Sequence, residues 1–141
     1  MILGIGTDLV DSRRIEKIHQ RFGQMFVVKL LNSEERCTLP PSDSRMYLSA
    51  LSKRFAAKEA CAKALGTGFG ASLAFHDVTV THGRGAAPTL AVALPVLQNL
   101  RHRLGIKSHQ IQLDLSLSDE YPYIQAFVVL SSIFSNESLA P

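Results

Sequence analysis

One segment constrains the fold of this chain more than any other: the alanine-rich run that closes at Leu65-Gly66. Leu48, Leu51, Phe55 and Ala62 recur on one helical stripe, and Ala56, Ala57, Ala60 and Ala64 favour the same conformation. The pattern predicts a long helix that starts near Ser42–Ser44, runs to Leu65 and is capped by Gly66. Glu59 falls on that stripe, four residues after Phe55 and three before Ala62, where an ionised carboxylate is costly without a partner. Lys63 lies four residues further on the same face. Two readings stand side by side. One is a helix ion pair worth about 0.3–0.5 kcal/mol. The other is a carboxylate at a cleft edge holding a metal, with Lys63 facing a phosphate.

The rest of the chain supplies shorter elements. Residues 2–8 read as a strand whose Gly4 and Gly6 let another backbone approach closely. Asp8 ends that strand, and Asp11 or Ser12 caps a helix with Ile15, Ile18 and Phe22 as its buried stripe, ended by Gly23. A short apolar helix follows over Phe26–Leu31, and Asn32-Ser-Glu-Glu35 resembles a capping box. Pro40-Pro41 breaks the chain. His76–Thr81 and Thr89–Ala93 read as strands around a turn at Gly83-Arg-Gly85, and Pro95 opens a helix over Val96–Leu104. Ile111–Ser116 and Tyr123–Leu130 form a last antiparallel pair, with Tyr121 and Tyr123 as hairpin packing. Helices early and strands late predict an α+β class, an antiparallel sheet packed against helices that include one long one. We expect a single domain over residues 1–131 and a loose tail over 132–141.

Composition removes several classes. Of 141 residues, 46% are hydrophobic and 19% charged, which excludes intrinsic disorder. The first eight residues are too short for a signal-peptide core, and no apolar run reaches the roughly 18 residues of a membrane span. Cys37 and Cys61 suit buried, reduced thiols in a cytoplasmic protein. The net charge is +3, and the basic surplus sits before residue 64, with eleven Lys/Arg against seven Asp/Glu. That balance and the absence of Trp disfavour a nucleic-acid binder. A non-catalytic module that binds an acidic protein through its basic first helix is an alternative. The five histidines show no ligand spacing and read as surface or structural residues. No Walker loop is present, and two carboxylates with room for water would suit Mg²⁺.

Gly4-Ile-Gly-Thr-Asp8 and the segment Arg54-Phe-Ala-Ala-Lys-Glu-Ala-Cys-Ala-Lys-Ala-Leu-Gly-Thr-Gly68 together resemble the two signature motifs of the holo-acyl-carrier-protein synthases, small phosphopantetheinyl transferases. The likeness extends to Leu73-Ala-Phe75, to Ser116-Leu-Ser-Asp-Glu-Tyr-Pro-Tyr123 and to Ala126 and Val128-Val129, covering residues 2–131 in the family's order. The resemblance implies the family's fold. It also implies transfer of 4′-phosphopantetheine from coenzyme A to a serine of an apo acyl carrier protein in fatty acid biosynthesis, with release of adenosine 3′,5′-bisphosphate. Asp8 and Glu59 match the carboxylates that hold Mg²⁺. Lys63 matches the lysine that approaches the coenzyme A phosphates, and Arg54, Gly66 and Thr67 match positions lining the nucleotide cleft. The family's short members form homotrimers with clefts between subunits. Relatives dock the carrier through basic residues of the first helix, where Arg14, Lys17 and Arg21 recur at i, i+3, i+7. Glu59, or a water near the metal, is the candidate base. The sequence departs from its relatives at Asp119, where several have His, and at Ala86-Ala87-Pro88, where Gly-Lys-Pro is usual.

Overall fold

The computed structural model describes residues 1–82, 87–106 and 109–134. β1 (Ile2–Asp11) leads through an Asp11 cap into α1 (Ser12–Phe22), then α2 (Gln24–Leu30) and α3 (Ser33–Cys37). The Asp11 side chain accepts from Arg13 N, and Gly23 ends α1 in the left-handed region at φ 54°. Asn32 and Glu35 form the expected capping box: Asn32 Oδ1 accepts from Glu35 N at 3.1 Å, and Glu35 Oε2 accepts from Asn32 N at 3.0 Å. α4 (Arg45–Leu65) is the long helix, capped by Ser44 at its start and by Gly66 at φ 71°. After it come β2 (Val78–His82), β3 (Pro88–Val92), α5 (Leu94–Leu104), β4 (His109–Glu120) and β5 (Tyr123–Phe134).

The α+β class holds, but the strands divide between two sheets. One is antiparallel with order β1-β5-β4, and the other pairs β2 with β3. The first strand of the smaller sheet starts later than its alternation suggests. Phe75–Asp77 form a 3₁₀ turn instead, because Asp77 Oδ2 accepts from Ala74 N at 2.8 Å and curls the backbone. The final hairpin is longer than its apolar residues suggest. Pairing runs from His109↔Phe134 to Glu120↔Tyr123, since the polar residues of β4 alternate outward while Leu113, Leu115 and Leu117 turn inward. Residues 132–134 therefore belong to a strand rather than to a tail. Ser132 N donates to Met1 O at 2.8 Å, and the N-terminal ammonium donates back to Ser132 O at 2.7 Å. The turn read at Gly83-Arg84-Gly85, the side chains of His82 and His109, and the tail beyond residue 134 lie outside the described residues.

α4 crosses the inner face of the three-stranded sheet. Leu51, Ala56, Ala57, Ala60 and Cys61 are fully buried on it, against Val10, Ile124, Ala126, Val128 and Leu130. Gly4 and Gly6 permit this approach: a Cβ on Gly4 would overlap the Ala64 carbonyl, and one on Gly6 the Ala60 carbonyl. Three burial expectations need correction. Phe22 is 45% exposed, because α1 ends there and the chain swings into α2, leaving the ring under the Arg21 guanidinium at 5.1 Å. Cys37 is exposed at the end of α3, whereas Cys61 is buried and its thiol is pushed up to about 12 by burial. Tyr121 and Tyr123 stand out from the hairpin rather than packing in it.

Candidate active site

The β1–α4 contact brings the first motif onto the second. Asp8 pairs in register with Ala126, on the inner side of β1 that also carries Gly6 and Val10. Lys63 Nζ donates to Asp8 Oδ1 at 2.8 Å and to Thr7 O at 2.8 Å. The Glu59–Lys63 helix pair allowed by spacing is thus replaced by a bond between elements. Since glycines hold β1 against the helix, the strand carboxylate takes the lysine. Glu59 feels Asp8 directly. Burial raises its carboxyl above the usual glutamate value, the Asp8 charge raises it further, and Lys63 opposes both. Two carboxylates and one ammonium therefore share a partly open cleft, with Asp8 mostly covered and Lys63 half in water.

Gly66 and Thr67 continue from Lys63 as the helix cap. Both backbone N–H groups turn back onto the last turn of α4, Thr67 N donating to Ala62 O at 3.3 Å. The Thr67 hydroxyl is buried and has no protein partner. Arg54 is not brought to this cleft. At about 100° per residue it lies about 140° round α4 from Glu59. Its Nη2 donates to Thr38 Oγ1 at 3.1 Å and its Nη1 to Ala50 O at 3.2 Å. There it lines a separate cavity of about 510 Å³ with Thr38, Met46, Ser49, Lys53 and Asp119. Arg14, Lys17 and Arg21 are all exposed along α1. His19 packs edge-on to Tyr47, and His76 lies 2.6 Å from Val28 O, as structural residues would.

Two features escaped the sequence reading. Lys53 Nζ meets Asp119 Oδ2 at 2.7 Å across the second cavity. Lys58 is fully buried and donates to Glu35 Oε2, Leu30 O and Phe75 O at 2.7, 2.8 and 2.8 Å. A signal existed for Lys58: it lies seven residues after Leu51, three after Phe55 and four before Ala62, on the apolar stripe itself. Glu35 also accepts from Val80 N at 3.1 Å, so one buried ion pair joins α2, α3, α4 and β2.

Comparison with known proteins gives the family of the chain. Residues 4–123 match the 4′-phosphopantetheinyl transferase superfamily. The holo-[acyl-carrier-protein] synthases of Sinorhizobium fredii and Mesorhizobium japonicum are 40% and 39% identical over 134 and 133 residues. The matches cover 94% of this chain in both cases, and 94% and 95% of the relatives. The crystal structure of the Neisseria meningitidis synthase superposes with a TM-score of 0.78 at 37% identity, over 93% of this chain and 99% of that one. The Helicobacter pylori synthase, solved in complex with coenzyme A, gives 0.75 at 31% identity over 90% and 99%. The chain belongs to the 4′-phosphopantetheinyl transferase superfamily, in its holo-[acyl-carrier-protein] synthase group. It is therefore an enzyme of that group, and the reading as a non-catalytic binding module falls. Among the described residues no helix is long and apolar enough to cross a membrane.

Proposed function

We propose that this chain moves the 4′-phosphopantetheine group of coenzyme A onto a serine of an apo acyl carrier protein, in a Mg²⁺-dependent reaction that serves fatty acid biosynthesis and releases adenosine 3′,5′-bisphosphate. The observation that carries the reading is the convergence of Asp8, Glu59 and Lys63 across the β1–α4 contact. Two hard carboxylates suit a hard divalent cation, and the Glu59 carboxyl, raised first by burial and then by the Asp8 charge, gains from a cation placed beside it. Among the described residues no cluster of three or more protein ligands could hold a metal alone, so water and phosphate oxygens must complete the shell. Asp8 and Glu59 would hold Mg²⁺, which would neutralise charge on the pyrophosphate when bound. Lys63, released from Asp8, turns its ammonium to the phosphate oxygens. The serine oxygen forms a bond to the β-phosphorus as the bond to the bisphosphate breaks. Glu59, or a water at its side, receives the serine proton. Gly66 and Thr67 border the cleft just beyond Lys63.

The oligomer we propose is a homotrimer with clefts between subunits. Ile5, Leu9 and Phe127 are exposed together on the outer face of the three-stranded sheet, an apolar patch suited to burial against copies of the chain. Arg54 and the carboxylates face different sides of α4, so a donor that touches both sets of residues spans two copies. The carrier docks on the row of Arg14, Lys17 and Arg21. A free, exposed Cys37 supports a reducing, cytoplasmic setting. Mass spectrometry tests the reaction: with coenzyme A and Mg²⁺, an apo carrier gains a phosphopantetheine adduct. Asp8→Asn and Glu59→Gln each lower that rate by orders of magnitude at limiting Mg²⁺. Near-native rates in both variants would overturn the assignment.

A further inference from the structure

The cleft carries the wrong end of a helix for an anion. α4 finishes at Leu65, just after Lys63, and the last turn of a helix carries a negative charge of about half a unit on its unpaired carbonyls. Three of the last four carbonyls are covered locally. Gly66 N donates to Lys63 O at 3.1 Å, Thr67 N and Gly68 N donate to Ala62 O at 3.3 and 3.4 Å, and Ala64 O lies against Gly4 of β1. The cap thus spends its N–H groups on the helix and leaves none of these three for a phosphate. The last carbonyl is met from another element. Arg103 Nη2, on α5, donates to Leu65 O at 2.6 Å. Leu100 is 4% exposed and pins α5 to the core, and Arg103 stands three residues on, along the same face. Gly105 ends α5 at φ 68°, and the buried Ile106 anchors the exit. A guanidinium is therefore fixed on the end of α4, two residues before Thr67, whose hydroxyl is buried without a protein partner.

We propose that Arg103 is a positioning residue for the transfer reaction: by holding Leu65 O it neutralises the negative end of α4, so that the donor's pyrophosphate can lie against Lys63 and Thr67. The inference rests on the coenzyme A reading above, and it gives Arg103 no contact with the donor. The reason is one of charge. A pyrophosphate arriving at the cleft faces Asp8, Glu59 and the carbonyl end of a helix, and Lys63 already divides its donors between Asp8 and Thr7 O. Mg²⁺ would offset the carboxylates, and Arg103 offsets the helix. A cation on a helix C-terminus interacts favourably with the carbonyl dipoles, and arginine keeps its charge at every working pH. A neutral donor at the same place would hold α5 to α4 but would leave the end of α4 negative. The charge on residue 103, rather than the hydrogen bond alone, is then what the donor reads.

The test compares Arg103→Met, Arg103→Gln and Arg103→Lys in the full chain, at fixed Mg²⁺ and low ionic strength. Arg103→Met raises KM for coenzyme A about two- to fivefold, the range set by one charge at a helix end. It leaves kcat and KM for the carrier close to the wild-type values. Arg103→Gln keeps a donor without the charge and behaves like Arg103→Met, whereas Arg103→Lys restores the wild-type KM. Added salt narrows the gap between Arg103→Met and the wild type. Tm by circular dichroism separates this from a simple stitch between helices. A lower Tm with an unchanged KM for coenzyme A, recovery by Arg103→Gln, or no recovery by Arg103→Lys overturns the inference, while wild-type turnover leaves the transferase reading standing. If the wild type transfers nothing, that reading falls. Calorimetry with inorganic pyrophosphate then decides the role of Arg103 alone: the wild type and Arg103→Lys must bind it more tightly than Arg103→Met, and equal affinities overturn it.

Discussion

Replacing Lys58 by methionine isolates the energetic weight of a single buried charge. In the folded chain Lys58 spends all three ammonium donors on Glu35 Oε2, Leu30 O and Phe75 O, at 2.7–2.8 Å. Burial lowers its pKa, and the hydrogen bond to Glu35 acts against that shift. Methionine has a similar reach and helix propensity, so α4 itself is little changed. What changes is Glu35, fully buried and left with only the Asn32 and Val80 N–H donors, and two backbone carbonyls that lose their donor. Removing one partner of a buried pair costs about 3–5 kcal/mol. A domain of this kind has about 5–15 kcal/mol in total. The loss is thus a third or more of the stability in most of that range, a fall in Tm of about 10–20 °C. Urea unfolding followed by circular dichroism, at one fixed protein concentration, measures it. The double variant Glu35→Gln/Lys58→Met removes the stranded charge while keeping an acceptor for Val80 N, and recovers more than half of the loss. A cost below about 1 kcal/mol for Lys58→Met would refute the reasoning, because a charge removed so cheaply is not holding those segments together.

Four further outcomes are expected. Asp8→Asn lowers the Glu59 pKa, since it deletes a charge that raises it and frees Lys63, which lowers it; carboxyl NMR titration reads the shift, and an upward move contradicts the account. The sign for stability follows: with its folded pKa raised above 4.5, Glu59 keeps a proton that the unfolded chain has lost, so its contribution declines as pH rises through that window. Gly6→Ala costs about 1–3 kcal/mol by overpacking against the Ala60 carbonyl and reduces transfer by moving Asp8; a stable, fully active variant in urea unfolding and turnover assays excludes the close-approach argument. Lys63→Met leaves Tm nearly unchanged, because its pair with Asp8 is half exposed, yet slows transfer; an unaltered rate makes Lys63 only a counter-ion. Arg14→Glu with Arg21→Glu raises KM for the carrier and flattens its salt dependence without affecting KM for coenzyme A, whereas equal damage to both substrates indicates a disturbed α1.

Much of this architecture was legible because its signals are local. The capping box at Asn32–Glu35 and the Gly66 cap depend on a few adjacent residues and stand where they read, while the starts left open at Asp11 or Ser12 and at Ser42–Ser44 fall at Asp11 and Ser44. The family motifs named Asp8, Glu59 and Lys63, and the glycines of β1 hinted that a backbone comes close. Which backbone comes close is not a local property. That α4 seats on Gly4 and Gly6, and that Lys63 leaves Glu59 for Asp8, depends on contacts more than fifty residues apart. Lys58 lies on the apolar stripe, but a lysine there reads equally as an exposed tip on a flexible stem. Its partner Glu35 was read only as a cap. The two strands of the hairpin were cut short because Ser116–Glu120 and Ser131-Ser132 are polar, although inter-strand hydrogen bonding does not require apolar side chains.

The seating of β1 on α4 bears on any attempt to make this protein more heat-resistant. Exchanging glycine for alanine is a standard stabilising step, worth about 0.4–1 kcal/mol where the backbone conformation tolerates a side chain. Gly4, Gly6 and Gly70 all pass a test based on dihedral angles, since none has a positive φ. The first two would nonetheless drive a methyl group into the helix backbone, while a methyl on Gly70 would meet open space. An engineer choosing sites by torsion alone would therefore disturb the cleft between β1 and α4 in two of three trials. Gly70 is the substitution to make, and the spacing of the cleft is set by the thickness of bare main chain at positions 4 and 6.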